Sequence, residues 1–322
     1  MPTVTVQPSE LLQSANELKE ISDQICATRD NRLGQPIVAA PGNDCVSELA
    51  ASNLSDHLRT CRRRLTDLAN RLNEYALTLT NSAKEYATTE ADNAEGLQLE
   101  QSRMASAPQI STQAAITQEN EEIPDEPIIG LAGYQRLYWN QPPEFNSNNI
   151  YEGVGVGSLR ELLLGFRDVE AELDVFSNRL QKWENRLREQ WSGPAAEQAA
   201  TTATELNRWM CVFITETAEA TDAVATIGQA YERARDGVIP PKAIEDNRTQ
   251  RADLASEQAA GLVRHDKKIS ELDAEYDQFW MTDMEAMCWY ERAVGIALMR
   301  MPVWKKLPWR AFGLASVRER GG

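Results

Sequence analysis

Apolar residues recur at three- and four-residue intervals along most of the chain, the period of a helix buried on one face. Leu11, Leu12, Ala15, Leu18 and Ile21 predict a helix over 9–28. Gly34, Pro36, Pro41, Gly42 and Asn43 then predict a loop over 29–44. A longer stripe follows: Val46, Leu49, Leu54, Leu58, Cys61, Leu65, Leu68, Leu72, Tyr75, Leu79, Ala83 and Tyr86. It continues for about 50 residues without Pro or Gly. A helix of that length reaches about 75 Å at 1.5 Å per residue. The shorter first helix covers only part of such a stripe, so a further helical partner is implied.

Residues 93–141 lose the period. They are rich in Gln, Ser, Thr and Ala, then acidic through Glu119, Glu121, Glu122, Asp125 and Glu126. This composition predicts a flexible acidic linker, with Tyr134, Leu137, Tyr138 and Trp139 as a docking patch. Ser158-Leu159-Arg160-Glu161 has the form of a capping box, a helix-start signature. Leu159, Leu162, Leu163, Phe166, Val169, Leu173, Phe176, Leu180, Trp183, Leu187 and Trp191 continue at helical spacing. Trp191-Ser192-Gly193-Pro194 breaks the pattern, and Pro194 suits the first turn of a new helix. That helix carries Leu206, Trp209, Met210, Phe213, Ile214, Val224, Ile227 and Tyr231, and ends near Gly237 before Pro240-Pro241. After a charged segment, a last helix is predicted from about Leu254 to Met299. Nothing alternates with period two over a useful length. The pattern therefore predicts an all-α fold, an elongated antiparallel helical bundle.

The 322 residues are 42% hydrophobic and 25% charged, which suits a soluble chain with a real core. The net charge of −16 argues against nucleic acid, because phosphate binding needs concentrated positive charge. No run approaches the roughly 18 apolar residues of a membrane-spanning helix. The opening Met1-Pro2-Thr3-Val4-Thr5-Val6-Gln7-Pro8 lacks the basic and apolar regions of a secretory signal peptide. The five cysteines, Cys26, Cys45, Cys61, Cys211 and Cys288, form neither a disulfide framework nor a zinc motif. Cys26 and Cys45 flank one loop and could pair in an oxidising compartment, although free thiols are the favoured reading.

Enzyme signatures are thin. His57 and His265 lack a metal-ligand partner four residues on, and no metal, cofactor or catalytic residue is assigned. Gly153, Gly155 and Gly157 resemble part of a phosphate loop, but no strand precedes them and no G-K-[ST] follows. A flexible turn into the Ser158 helix is preferred. Arg62-Arg63-Arg64 spread around a helical turn and read as a solvated face. Residues 300–322 form a basic aromatic tail. Trp304, Lys305, Lys306, Trp309 and Arg310 are its candidate contacts with lipid or an acidic partner. Docking of the tail on the bundle through its tryptophans is the competing reading.

Two short motifs remain. Tyr86 and Glu90 stand four apart on one helix face, and Trp191-x-Gly193 marks a helix–helix turn. Each is weak alone, because a chain of this composition holds about one Y-x-x-x-[DE] by chance. Their positions matter more: one closes the first helical pair, the other turns the second unit.

In that order the motifs resemble two mycobacterial families. Residues 1–92 resemble a PE domain, opening at Gln7-Pro8 and closing at Tyr86-Ala87-Thr88-Thr89-Glu90-Ala91. Residues 142–299 resemble a PPE domain. They carry Pro142-Pro143-Glu144, Asn146-Ser147, Tyr151, Trp191-Ser192-Gly193-Pro194-Ala195-Ala196, Pro240-Pro241, Asn247, Tyr276, Trp280, Asp283, Ala286-Met287 and Tyr290. The resemblance implies a PE-like hairpin packed along PPE-like helices, which supplies the missing partner. It implies a non-enzymatic substrate of a type VII (ESX) secretion system, made in the cytoplasm and secreted folded, without an ordinary signal peptide. Tyr86, Glu90, Trp191 and Gly193 would form a composite signal read by the secretion ATPase. A cytosolic chaperone is implied too. PPE proteins usually carry a bulky hydrophobic tip for the chaperone EspG, whereas Glu257-Gln258-Ala259-Ala260-Gly261 is small and polar, so EspG-like binding is not expected. Homo-oligomerisation and contact with acidic phospholipid after export are further expectations. The alternative is a structural or adaptor component held in the cytosol or at the membrane by the tail.

Overall fold

The computed structural model describes residues 7–99, 138–261 and 263–307. Among these residues lie seven helices and no strand. They are α1 (Pro8–Arg32), α2 (Cys45–Leu99), α3 (Pro143–Tyr151), α4 (Gly157–Gln190), α5 (Pro194–Gly237), α6 (Pro241–Ala259) and α7 (Asp266–Met299). The all-α bundle expected from the periodicity is the fold observed.

α1 and α2 form an antiparallel hairpin. Ser22 Oγ donates to the Ala69 carbonyl at 2.7 Å, and the Arg62 guanidinium donates to the Arg29 carbonyl at 2.8 Å. α4 and α5 form a second hairpin. Its apolar stripe from Leu159 through Phe166, Leu173 and Leu180 to Leu187 is buried. α1 lies antiparallel along α4, where the Trp183 indole donates to the Ser14 carbonyl at 3.0 Å and Arg186 pairs with Glu17. Across α2 and α5, Tyr75 Oη donates to the Ala199 carbonyl at 2.5 Å. The two hairpins thus share one apolar core, in which each fully buried Leu or Phe contributes about 1.5–3 kcal/mol relative to exposure. The second half of α7 completes that core with Met287, Tyr290 and Val294.

At the far end, the loop between α1 and α2 grips the segment before α4. Asn43 N–H donates to the Asn149 carbonyl at 2.7 Å, and Gly155 N–H to the Pro41 carbonyl at 2.9 Å. Buried Asp44 accepts from the Val46 and Ser47 amides and from Ser47 Oγ, and Ser47 Oγ lies 3.1 Å from Tyr290 Oη. Gly153 therefore serves a close backbone approach to Pro41, Gly155 takes a positive φ of +74, and the segment forms a turn into the next helix.

The structure differs from the sequence expectations in local details. The last helix does not run unbroken from Leu254: α6 ends at Ala259 and α7 begins at Asp266. Gly261 reverses the chain there at φ +72, and α6 folds back on α7 through an Arg251–Asp273 ion pair of 2.7 Å. Ser158 does not cap its own helix. The N-cap of α4 is Val156, and Ser158 Oγ accepts the Ala39 amide at 3.0 Å instead. The periodicity gave no element for residues 143–151, where α3 lies, with Pro in the first turn and Pro143, Asn146, Ser147 and Ile150 buried. α2 also extends to Leu99, past the expected PE boundary at 92. Of the docking patch, Tyr138 is buried and donates to Glu291, Trp139 is exposed, and Tyr134 and Leu137 lie outside the described residues.

Candidate functional site

The turn between α4 and α5 is shaped by its residue types. Trp191 follows α4 in an extended conformation and donates its amide to the Leu187 carbonyl at 2.9 Å. Gly193 stands at φ +107, a conformation that a side chain would strain. Its carbonyl accepts the Glu197 amide at 3.1 Å, and Pro194 opens α5. The Trp191 side chain is 3% exposed. It lines a small crevice with Leu187, Gln190 and the first turns of α1, at Gln7, Glu10, Leu11 and Ser14. Its indole nitrogen has no hydrogen-bond partner among the described residues.

The register of the helices puts Tyr86 at the same end. The Tyr75 and Trp183 rings meet edge-on, with centroids 5.5 Å apart. Beyond that contact α2 and α4 run in the same direction. At 1.5 Å per residue Tyr86 lies about 16 Å past Tyr75, and Trp191 about 12 Å past Trp183. Tyr86 is half-buried and packs on the common core. Glu90 is one turn further along α2, and its side chain lies outside the described residues. Sequence reasoning took Tyr75 and Trp183 as ordinary stripe positions. Their polar tips set the register between the hairpins, and a buried Tyr and Trp in facing stripes were the available signal.

The C-terminal segment is docked. Trp304 is buried, 5.1 Å from the Phe213 ring and 6.1 Å from the Phe166 ring. The Lys305 amide donates to the Glu216 carboxylate, and its carbonyl accepts the Trp209 indole at 3.2 Å. Burial raises the Glu216 carboxyl above its ordinary value, against the Lys305 amide and charge. Trp304 is therefore enclosed by the bundle. Lys305 and Lys306 are exposed, and Trp309 and Arg310 lie outside the described residues. Docking through the tryptophan, the competing reading, is what residues 300–307 adopt.

Elsewhere, all five cysteines are free thiols, including Cys26 and Cys45. Among the described residues no group of three His, Cys, Asp or Glu side chains converges to hold a metal ion, and no helix is long and apolar enough to cross a membrane. A crevice of about 470 Å³ between the α1–α2 loop and α4 is bordered by Gln35, Ile37, Glu161, Leu164 and an Arg32–Asp168 ion pair. At the opposite tip, His265 Nε2 lies 2.9 Å from Glu257, and Gln258 bonds Asp266 and the His265 amide.

These features define a class: helical bundles in which an N-terminal hairpin packs lengthwise on a longer helical unit, with a tryptophan–glycine turn at one end. The PPE family model matches residues 137–302 and the PE family model matches residues 4–93. The chain belongs to the PPE family and carries a PE domain ahead of its PPE domain. PPE family protein PPE41 of Mycobacterium tuberculosis is 32% identical over 167 residues, covering 52% of this chain and 85% of that protein. PPE57 of the same species is 28% identical over 167 residues, covering 52% and 94%. Among solved structures, EspB from the ESX-1 type VII secretion system superposes with a TM-score of 0.59 at 13% identity, covering 95% of this chain and all of that one. Mycobacterium marinum EspB gives 0.52 at 17% identity, covering 94% and 97%. At such identities the likeness is one of fold.

Proposed function

We propose that the protein is a non-enzymatic substrate of a type VII (ESX) secretion system, exported as a folded bundle. Its signal is composite: Tyr86 and Glu90 from the PE domain, Trp191 and Gly193 from the PPE domain, read together by the secretion ATPase. The observation that carries this reading is the shared end of the bundle. Two motifs more than 100 residues apart come level only when the hairpins are packed in register. A signal split in this way reports folding and domain pairing together. The family membership and the EspB-like fold support the same reading. The polar, internally bonded α6–α7 tip supports a chaperone other than an EspG-like one. Exposed Lys305 and Lys306 remain the proposed contacts for an acidic partner or phospholipid after export, with oligomerisation as a further step.

The test is secretion from a mycobacterial host with a working type VII apparatus. Wild type, Tyr86→Ala and Trp191→Ala are compared in culture filtrate and cell pellet, with circular dichroism on each purified protein. Export of wild type and retention of folded Tyr86→Ala are expected. Export of folded Tyr86→Ala at the wild-type level would remove the signal assignment. Retention of wild type would leave only fold and ancestry.

A further inference from the structure

Asp283 is 0% exposed, at the point where α7 meets α3 and the linker between α5 and α6. Its Oδ1 accepts the Ile239 amide at 2.8 Å. Its Oδ2 is buried and has no hydrogen-bond partner among the described residues. The Ile239 carbonyl accepts Ser147 Oγ at 2.6 Å, so both polar groups of this linker residue are held, one by α7 and one by α3. Pro240 and Pro241 follow and carry no amide hydrogen, which makes Ile239 N–H the last backbone donor before α6. Beyond it, α6 packs on the first half of α7. Asn247 donates there to the Leu272 carbonyl at 3.1 Å, and the Arg248 guanidinium sits 3.9 Å over the Tyr276 ring. The second half of α7 belongs to the main core. Asp283 stands at the joint between the two.

The surroundings offer this carboxyl little compensation. From α3, Glu144 acts on it with like charge while accepting Tyr276 Oη at 2.7 Å. From α6, Lys242 is exposed and occupied by Glu245 and Asp246. From the end of α5, Arg235 lies over the Tyr151 ring. On α7 itself, Asp277 and Glu285 are exposed. Burying an ionised carboxylate without a counter-charge is costly, and the usual response is to keep it neutral or to open the site to water.

We propose that Asp283 is a proton-controlled pin: neutral, it closes the joint between the α5–α6 linker and α7, and ionised, it loosens α6 from the rest of the bundle. A neutral carboxyl still accepts the Ile239 amide through its carbonyl oxygen and needs no counterion. Burial, opposed by the Ile239 amide and reinforced by the charge on Glu144, moves the carboxyl up to about 7. The joint is thus tight in mildly acidic surroundings and loosens above neutrality. This inference stands apart from the export reading.

Amide hydrogen exchange of the full chain, corrected for intrinsic rates between pH 5.5 and 8.5, tests it. Protection of Ile239 and the α6 amides should fall severalfold in wild type, with a midpoint near 7. Asp283→Asn should remove the pH dependence, and Glu144→Gln should move the midpoint down. The same pH dependence in Asp283→Asn, or none in wild type, would overturn the pin. A second readout needs no variant: carbon-13 titration of the Asp283 carboxyl in wild type should show a midpoint near 7, and an ordinary value near 4 would overturn the proposal equally.

Discussion

A Cβ placed on Gly153 would lie 2.0 Å from the carbonyl oxygen of Pro41. The contact joins the PE loop to the segment leading into the first long PPE helix, and both partners are backbone. Neither can rotate away as a side chain would. Gly153→Ala should therefore push the seam apart and lower stability by about 1–3 kcal/mol. Gly157, with open space around its Cα and no positive φ, is the control. Gly157→Ala should stay within about 0.5 kcal/mol. Urea unfolding of the two variants beside wild type makes the comparison.

Tyr75 couples the domains by its hydroxyl as well as by its ring. Tyr75→Phe keeps the edge-on contact with Trp183 and leaves the Ala199 carbonyl without this donor. A loss of about 1 kcal/mol is expected, the usual net worth of such a bond. Trp183→Ala removes the ring and the bond to Ser14, and should cost about 3–5 kcal/mol. Near-equal losses in the two variants would show that packing is not the dominant part of this contact.

The docked C-terminal segment makes two kinds of contact that separate on mutation. Trp304→Ala empties a slot between Phe166 and Phe213 and should cost about 3–5 kcal/mol. Lys305→Ala keeps the backbone bonds to Glu216 and Trp209 and should change stability by no more than about 0.5 kcal/mol. Thermal unfolding checks both. If Lys305→Ala proved as damaging as Trp304→Ala, the side chain would hold the segment and the backbone account would be wrong.

The buried carboxyls should make stability fall as pH rises from about 5 to 8, against an opposite contribution from His57, whose imidazole burial holds below its ordinary value. Burial raises the carboxyls of Asp44, Glu216 and Asp283. A carboxyl raised in the folded state binds its proton more tightly there than in the unfolded chain. Its favourable contribution is complete below the unfolded value near 4 and is lost as pH climbs through the folded value, about 7 for Asp283. Asp30, Asp266 and Asp273 are lowered by hydrogen bonds, from Arg29, Gln258 and Arg251 respectively, and act the other way. Their contribution is present above about 4 and disappears in stronger acid. Melting temperature against pH should peak in the mildly acidic range, and Asp283→Asn should flatten its alkaline limb. A flat profile in wild type from pH 5 to 8 would contradict this balance.

Helical periodicity made the long elements readable before any coordinates, because α2, α4 and α5 each bury one continuous stripe. The errors arose where distant partners decide local structure. Ser158 has the pattern of a cap, yet its hydroxyl is taken by an amide 119 residues earlier in the chain. α3 is nine residues long and mostly polar, too short for a period, and it is buried by distant partners: α6, α7, the Tyr231 side chain of α5 and the α1–α2 loop. The break at 260–265 follows α6, whose apolar and polar residues are hardly segregated to faces, so the pattern carried no interruption to notice. From residue spacing alone the candidate site was legible as two separate motifs, and only the family resemblance put them in one place. What brings them level is the Tyr75–Trp183 contact and the Trp183–Ser14 bond, which depend on packing between hairpins.

The covalent link between the hairpin and the longer unit changes how their pairing responds to dilution. Two separate chains held by a seam like this one would come apart as their concentration fell below the dissociation constant. Joined through one backbone, the partners meet at a local concentration set by the connecting chain rather than by the number of molecules in the volume. Unfolding of the monomer should then show one midpoint at nanomolar and at micromolar protein. A single molecule released into a large volume would keep its two halves together.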